Sequence, residues 1–155
     1  MYRTLKIIFA ITPLICLTGC SWQEYFVIRN TSRSEVIVQY EIEPVEKGFP
    51  IFTDQPLLYK LDRSKGIDWS TKQIPSDLDT SPTGLKLKLP ANYVVVFGEL
   101  NNDHYTVYNQ DFINARVFNL KELEIRRHSD TLRLVPANFD ASFKKTAGNI
   151  TLEIK

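Results

Sequence analysis

The chain is predicted to be all-β, an antiparallel two-sheet β-sandwich with at most one short helix near 138–145. Apolar and polar residues alternate with a period of two in segment after segment, the pattern of strands buried on one face. No segment sustains the 3.6-residue period that a helix needs to build an apolar stripe. Clusters of Asn, Ser, Pro and Gly separate the alternating segments and supply turns between strands. With 43% hydrophobic and 24% charged residues, the composition lies in the ordinary globular range.

The first expected strand covers 25–29 and ends at the turn residues Asn30, Thr31 and Ser32. The second covers 35–43, with Val36, Val38, Tyr40 and Ile42 on one face and Glu35, Gln39, Glu41 and Glu43 on the other. Leu85, Leu87 and Leu89 alternate with Lys86 and Lys88, which places these lysines opposite Glu41 and Glu43 on a solvated face. The run 93–97 is apolar on both faces, as a central strand is.

Toward the end, Leu123 and Ile125 alternate with Glu124 and Arg126, and Leu132 and Leu134 flank Arg133. A turn at Ser129 and Asp130 is expected to pair Ile125 with Leu134 and to set Arg126 opposite Arg133. Phe139 and Phe143, four residues apart, mark the short helical turn near 138–145. Gly148 and Asn149 then open a last strand over 150–154. Strands are also expected over 57–61 and 105–108.

Segment 44–84 holds five of the eight prolines and three of the six glycines around that one strand at 57–61. It therefore reads as a long loop region, and loops of that length in a compact domain commonly carry function. Leu89-Pro90-Ala91-Asn92-Tyr93, set between two strands, resembles the tyrosine-bearing corner of immunoglobulin and fibronectin type III sandwiches, with the tyrosine one residue earlier than in the fibronectin pattern. The resemblance implies an immunoglobulin-like arrangement of the two sheets and transfers no binding residue.

The amino-terminal segment is of a different kind. Arg3 and Lys6 precede about eleven mostly apolar residues, 7–17, too few for the ~20 that cross a bilayer and suited to an export signal. Leu17-Thr18-Gly19-Cys20 follows and resembles the lipobox of bacterial lipoproteins. The resemblance implies a signal peptide over 1–19, diacylglycerol on the Cys20 thiol, cleavage before that residue, a lipidated tether over 20–24 and a β-sandwich domain over 25–155. Ser21 stands where an Asp would favour inner-membrane retention, so the expected address is the periplasmic face of an outer membrane in a Gram-negative host. Two or three acyl chains make such an anchor effectively permanent.

Removal of the signal takes away Arg3 and Lys6 and leaves 17 basic against 18 acidic residues. That balance provides no field for nucleic acid, so no such partner is expected. Cys16 leaves with the signal, and Cys20 alone makes no disulfide within a chain. No G-x-S-x-G, H-E-x-x-H or phosphate-binding loop is present, and only His104 and His128 are available for His-dependent chemistry. No catalytic residue, metal site or cofactor is therefore assigned. Asn102-Asp103-His104 reads as a polar turn.

Trp22, two residues after Cys20, suits the membrane interface. Trp69, within a polar glycine-bearing stretch of the long loop, is the expected anchor for a partner, with Ile67 and Tyr59 as neighbours. Arg126 and Arg133 are a second candidate, for an anionic group. The expected role is a membrane-anchored, non-enzymatic binding module for an envelope protein or glycan. The alternatives are a structural subunit that adds an edge strand to an envelope assembly and, third, a cell-wall-acting enzyme.

Overall fold

The computed structural model describes residues 22–81 and 84–155, so the expected signal segment over 1–19, Cys20 and Ser21 lie outside the described residues. Two sheets pack face to face, as the alternating patterns require. The larger has six strands in the order β12-β13-β1-β8-β4-β5, with β12 Lys144–Thr146, β13 Asn149–Ile154, β1 Gln23–Asn30, β8 Tyr93–Asn101, β4 Phe52–Leu61 and β5 Ile67–Gln73. The smaller has five in the order β11-β10-β2-β7-β6, with β11 Thr131–Leu134, β10 Leu120–Arg126, β2 Val36–Ile42, β7 Gly84–Leu89 and β6 Asp79–Thr80. A two-residue parallel ladder joins β3 Phe49–Pro50 to β9 Arg116–Val117. Within the two main sheets every pairing is antiparallel except that of β1 with β13. The fold is an all-β sandwich, and the one helix among the described residues, α1, covers Pro136–Ser142.

The interior follows the alternation. Val36, Val38 and Tyr40 of β2, with Leu85, Leu87 and Leu89 of β7 and Leu123 and Ile125 of β10, face Phe26, Ile28, Val95 and Phe97 of the larger sheet. Phe139 of α1 and Phe143 after it stack at 4.1 Å and close one end of this core. The apolar run at 93–97 is part of β8, which has β1 on one side and β4 on the other, as its two apolar faces imply.

Several expectations need correction. Segment 44–84 is not one long loop: it contains β3, β4, β5 and β6. Strand β5 carries Asp68, Ser70, Thr71, Lys72 and Gln73 beside Ile67 and Trp69, so its sequence has no sustained apolar alternation to mark it as a strand, a composition that suits the edge of a sheet. No strand forms at 105–108, where Tyr105 is instead a buried core ring in a loop. The β10-β11 hairpin pairs Ile125 with Leu132 and Leu123 with Leu134, closed by Arg127 N–H donating to Asp130 O at 2.8 Å. A shift of two residues keeps the same side chains inward, so alternation alone cannot distinguish the two registers.

Arg126 accordingly lies opposite Thr131, and Arg133 opposite Glu124, rather than facing each other. Glu41 lies opposite Gly84 and pairs with Lys121 of β10 at 2.9 Å, while Lys88 approaches Glu35 at 3.9 Å. At the proposed corner, Tyr93 packs half-buried against the core. The turn itself is closed by Tyr93 N–H donating to Pro90 O at 3.3 Å, with Asn92 at a φ of 61° and its N–H tied to Asn30 O of β1.

Candidate functional site

The outward face of the six-stranded sheet is apolar where a sandwich ordinarily meets water. Val27 of β1, Val94 and Val96 of β8 and Tyr59 of β4 are all buried there, on the side away from the second sheet. Half-buried Leu57, Leu61 and Ile67 pack around them, and two rings lie across the top. Trp69 of β5 meets Tyr59 edge-on at 5.0 Å and Tyr25 at 4.8 Å, and remains 46% exposed. Strand β5 brings Trp69 here because Ile67 and Trp69, two residues apart, share one face of the strand.

Three of the expected site residues, Trp69, Ile67 and Tyr59, are thus together, though on strands rather than in a loop. Sequence reasoning missed Tyr25: its alternation with Val27 was visible, but nothing showed which sheet face the pair would occupy. Burial first, and then the Glu99 carboxylate, hold the Tyr25 and Tyr59 hydroxyls above the ordinary phenol pKa. Both therefore remain protonated hydrogen-bond donors at physiological pH. The accessible surface offers the Trp69 indole, the partly buried Tyr25 ring and the exposed Glu99 carboxylate, over buried Tyr59.

A cleft of about 580 Å³ adjoins this face, with Leu57 and Val96 common to both. It arises from a mismatch between strands. Phe52 pairs with Gly98 and Leu57 with Val96, so residues 53–56 of β4 bow outward opposite the single residue Phe97. Such irregularities commonly sit beside functional sites. Tyr40 OH pins the bow from the opposite sheet by donating to Thr53 O at 2.7 Å. Buried Asn119 holds its root: its Oδ1 accepts from the Ile51 and Phe52 N–H groups at 3.1 and 2.8 Å, and its Nδ2 donates to Phe52 O at 3.1 Å. Gly98 has no alternative, since a Cβ there would stand 2.9 Å from both Ile51 O and the Phe52 ring.

Phe49, 60% exposed, forms one wall, and the Arg116 guanidinium lies 5.6 Å from its ring centroid. The Arg116 Nε is buried and finds no hydrogen-bond partner among the described residues. Glu43, Asp54 and Glu99 also line the cleft. A second hollow, of about 560 Å³, lies against the same bow and shares Asp54 and Gln55 with the first.

Arg126 and Arg133 belong to neither feature. Both stand on the smaller sheet, Arg126 paired with Glu124 and Arg133 bidentate to Glu122 at 2.6 and 2.7 Å. An anion at either arginine would have to displace a carboxylate already in place.

Polar side chains also gather around the start of β1. Buried Glu24 accepts from Lys145 Nζ at 2.6 Å and from Tyr105 N–H at 2.9 Å, and its Oε1 lies 2.7 Å from His104 Nδ1. Burial pushes its pKa up, but these three partners together outweigh it and hold the carboxyl below its ordinary value. Asp103, also buried, accepts the His104 and Asn114 N–H groups at 2.9 and 3.2 Å, in a bend where Asn102 has a φ of 54°. Among the described residues no cluster of three metal-ligating side chains forms, and no helix is long and apolar enough to cross a membrane.

Comparison with protein-family models, with curated proteins and with solved structures gives no significant match.

Proposed function

We propose that the chain is a lipid-anchored envelope protein that uses the outward face of its larger sheet to bind a protein or glycan of the same compartment. The aromatic face, in which half-exposed Trp69 and partly buried Tyr25 lie over buried Tyr59, carries this reading. Rigid rings with a polar edge are the side chains most often found at binding hot spots, and here a ready-made cleft continues the surface. The anchor rests on Leu17-Thr18-Gly19-Cys20, and a face on the side wall of the sandwich suits a partner that docks laterally.

The test compares partner capture from envelope extract by the intact protein, Trp69→Ala and Arg133→Ala. Trp69→Ala is expected to weaken capture by 2 kcal/mol or more, about thirtyfold, while Arg133→Ala leaves it unchanged. Equal capture by all three removes the aromatic face from the function. Cys20→Ala, followed with a fatty-acid probe, tests the anchor separately: retained labelling ends the lipoprotein reading.

An edge-strand role in a larger assembly remains the second reading, favoured by the seven residues of β5 at the border of the larger sheet.

A further inference from the structure

The end of the sandwich where β1 begins carries apolar side chains that neither the core nor the aromatic face uses. Loop 102–115 crosses this end. Trp22 is tied to it by its N–H to Asn102 Oδ1 at 3.2 Å, by Asn102 N–H to Trp22 O at 3.0 Å and by its indole N–H to Asp103 O at 3.3 Å. Its ring stacks on His104 at 5.0 Å with 16° between the planes. Phe112 turns inward against the core, and its neighbour Ile113 points out, 91% exposed. Val107 is 37% exposed and Trp22 44%.

Ile113 is not loosely placed. Asn114 beside it donates its N–H to buried Asp103 at 3.2 Å and its side-chain amide to Asn102 O at 2.7 Å, the two residues that hold Trp22. Gln110 braces the Val107 turn by donating to His104 O at 2.7 Å and accepting from Val107 N–H at 3.1 Å. Buried Glu24 joins His104 and the Tyr105 backbone to β1. The loop is thus a braced platform that presents an isoleucine, a valine and an indole to the outside.

From these contacts we infer that this end of the molecule, with Trp22, Ile113 and Val107, rests directly on the surface of the lipid bilayer. The inference builds on the proposed acylation of Cys20. Only Ser21 separates Cys20 from Trp22, so the lipid-bearing Cα lies within about 7 Å of the Trp22 Cα, too little chain to hold the platform clear of the membrane. Indole at the headgroup boundary and small apolar side chains just beyond it match the polarity gradient there. The arrangement makes the anchor a three-point mount and fixes the aromatic face of the larger sheet sideways, rather than leaving the domain to tumble on its tether.

The two tryptophans make the test internal. The full acylated protein is purified from membranes and reconstituted in phosphatidylethanolamine and phosphatidylglycerol vesicles, with or without brominated acyl chains, which quench indoles they touch. In Trp69→Phe, Trp22 is the sole indole, and its emission is expected to drop in brominated vesicles. In Trp22→Phe, Trp69 should keep its emission. Ile113→Asp added to Trp69→Phe should reduce the quenching, and undiminished quenching would exclude the loop from the contact. Mass measurement of the same sample reads acylation independently. Acylated protein with an unquenched Trp22 overturns this inference alone, whereas an unacylated Cys20 removes the anchor and the inference together.

Discussion

The two faces of the six-stranded sheet are built from the same strands and covered differently. Inward, Phe26, Ile28, Val95 and Phe97 are shielded by a whole second sheet. Outward, Val27, Val94 and Val96 are 0, 0 and 8% exposed, yet what covers them is a few side chains from their own sheet. Burial of a strand on both faces therefore does not require a third layer. Long aromatic side chains laid over small β-branched ones do the same local work and leave their own outer surfaces exposed. The inner face is the source of stability, and the outer face is a surface whose last layer is still open to a partner.

The sharpest way to break this comparison is to truncate one residue on the inner face. Phe97→Ala removes a ring that contacts Tyr40, Phe52 and Phe143, and is expected to cost about 3–5 kcal/mol of stability. Denaturant unfolding measures it as a lower midpoint with an unchanged slope. A loss as small as that of an exposed side chain would mean that the second sheet does not seal the core.

Asn119 lies between the two regimes, since it is buried yet serves the cleft. Asn119→Ala takes the amide from the Phe52 N–H and carbonyl, while the Ile51 N–H keeps Val117 O at 3.1 Å, and a cost of about 2–3 kcal/mol is expected. Hydrogen exchange should rise at 51–57 ahead of the rest of β4. Uniform exchange along that strand would show that the bow does not depend on Asn119.

How far these features could be read from sequence divides along the same line. The inner face is periodic, and period two is what alternation reports: β2, β7, β8, β10 and the all-β class follow directly from Val36, Val38 and Tyr40, or Leu85, Leu87 and Leu89. The outer face depends on pairing between distant strands. Trp69, Ile67 and Tyr59 were recognisable as a group only by proximity in sequence, and Tyr25, more than thirty residues away, had no mark that would join it to them. The cleft exists because four residues of β4 oppose one of β8, a mismatch between strands rather than a motif in either. Proline and glycine enrichment over 44–84 did report an irregularity, since Pro56 sits in the bow, but it was indistinguishable from a loop. The expected facing of Arg126 and Arg133 does not occur, because the turn sets the hairpin register and alternation does not.

A smaller effect belongs to the outer face. Trp69→Ala uncovers Tyr59 and Tyr25 but removes a side chain already half in water, so about 1 kcal/mol of stability is expected to be lost. Thermal unfolding beside Phe97→Ala compares the two directly. A cost equal to that of Phe97→Ala would place Trp69 in the core and weaken its claim as a binding residue.

The last and smallest effect tests whether the platform at the start of β1 is braced by charge. Glu24 has a folded-state pKa lowered from 4.5 by Lys145, the Tyr105 N–H and His104, against the upward pull of burial. A carboxyl lowered on folding stabilises the folded state fully above its unfolded pKa, and the contribution disappears as pH falls through the folded value. The intact protein should therefore lose part of its margin over Glu24→Gln as pH drops below 4.5. At neutral pH the variant is the less stable, because a neutral amide faces Lys145 where a carboxylate stood. Melting temperatures of the two proteins across the acid range should converge. If the gap stays constant through that range, Glu24 holds loop 102–115 by shape and hydrogen bonds alone, and the platform has no acid-sensitive brace.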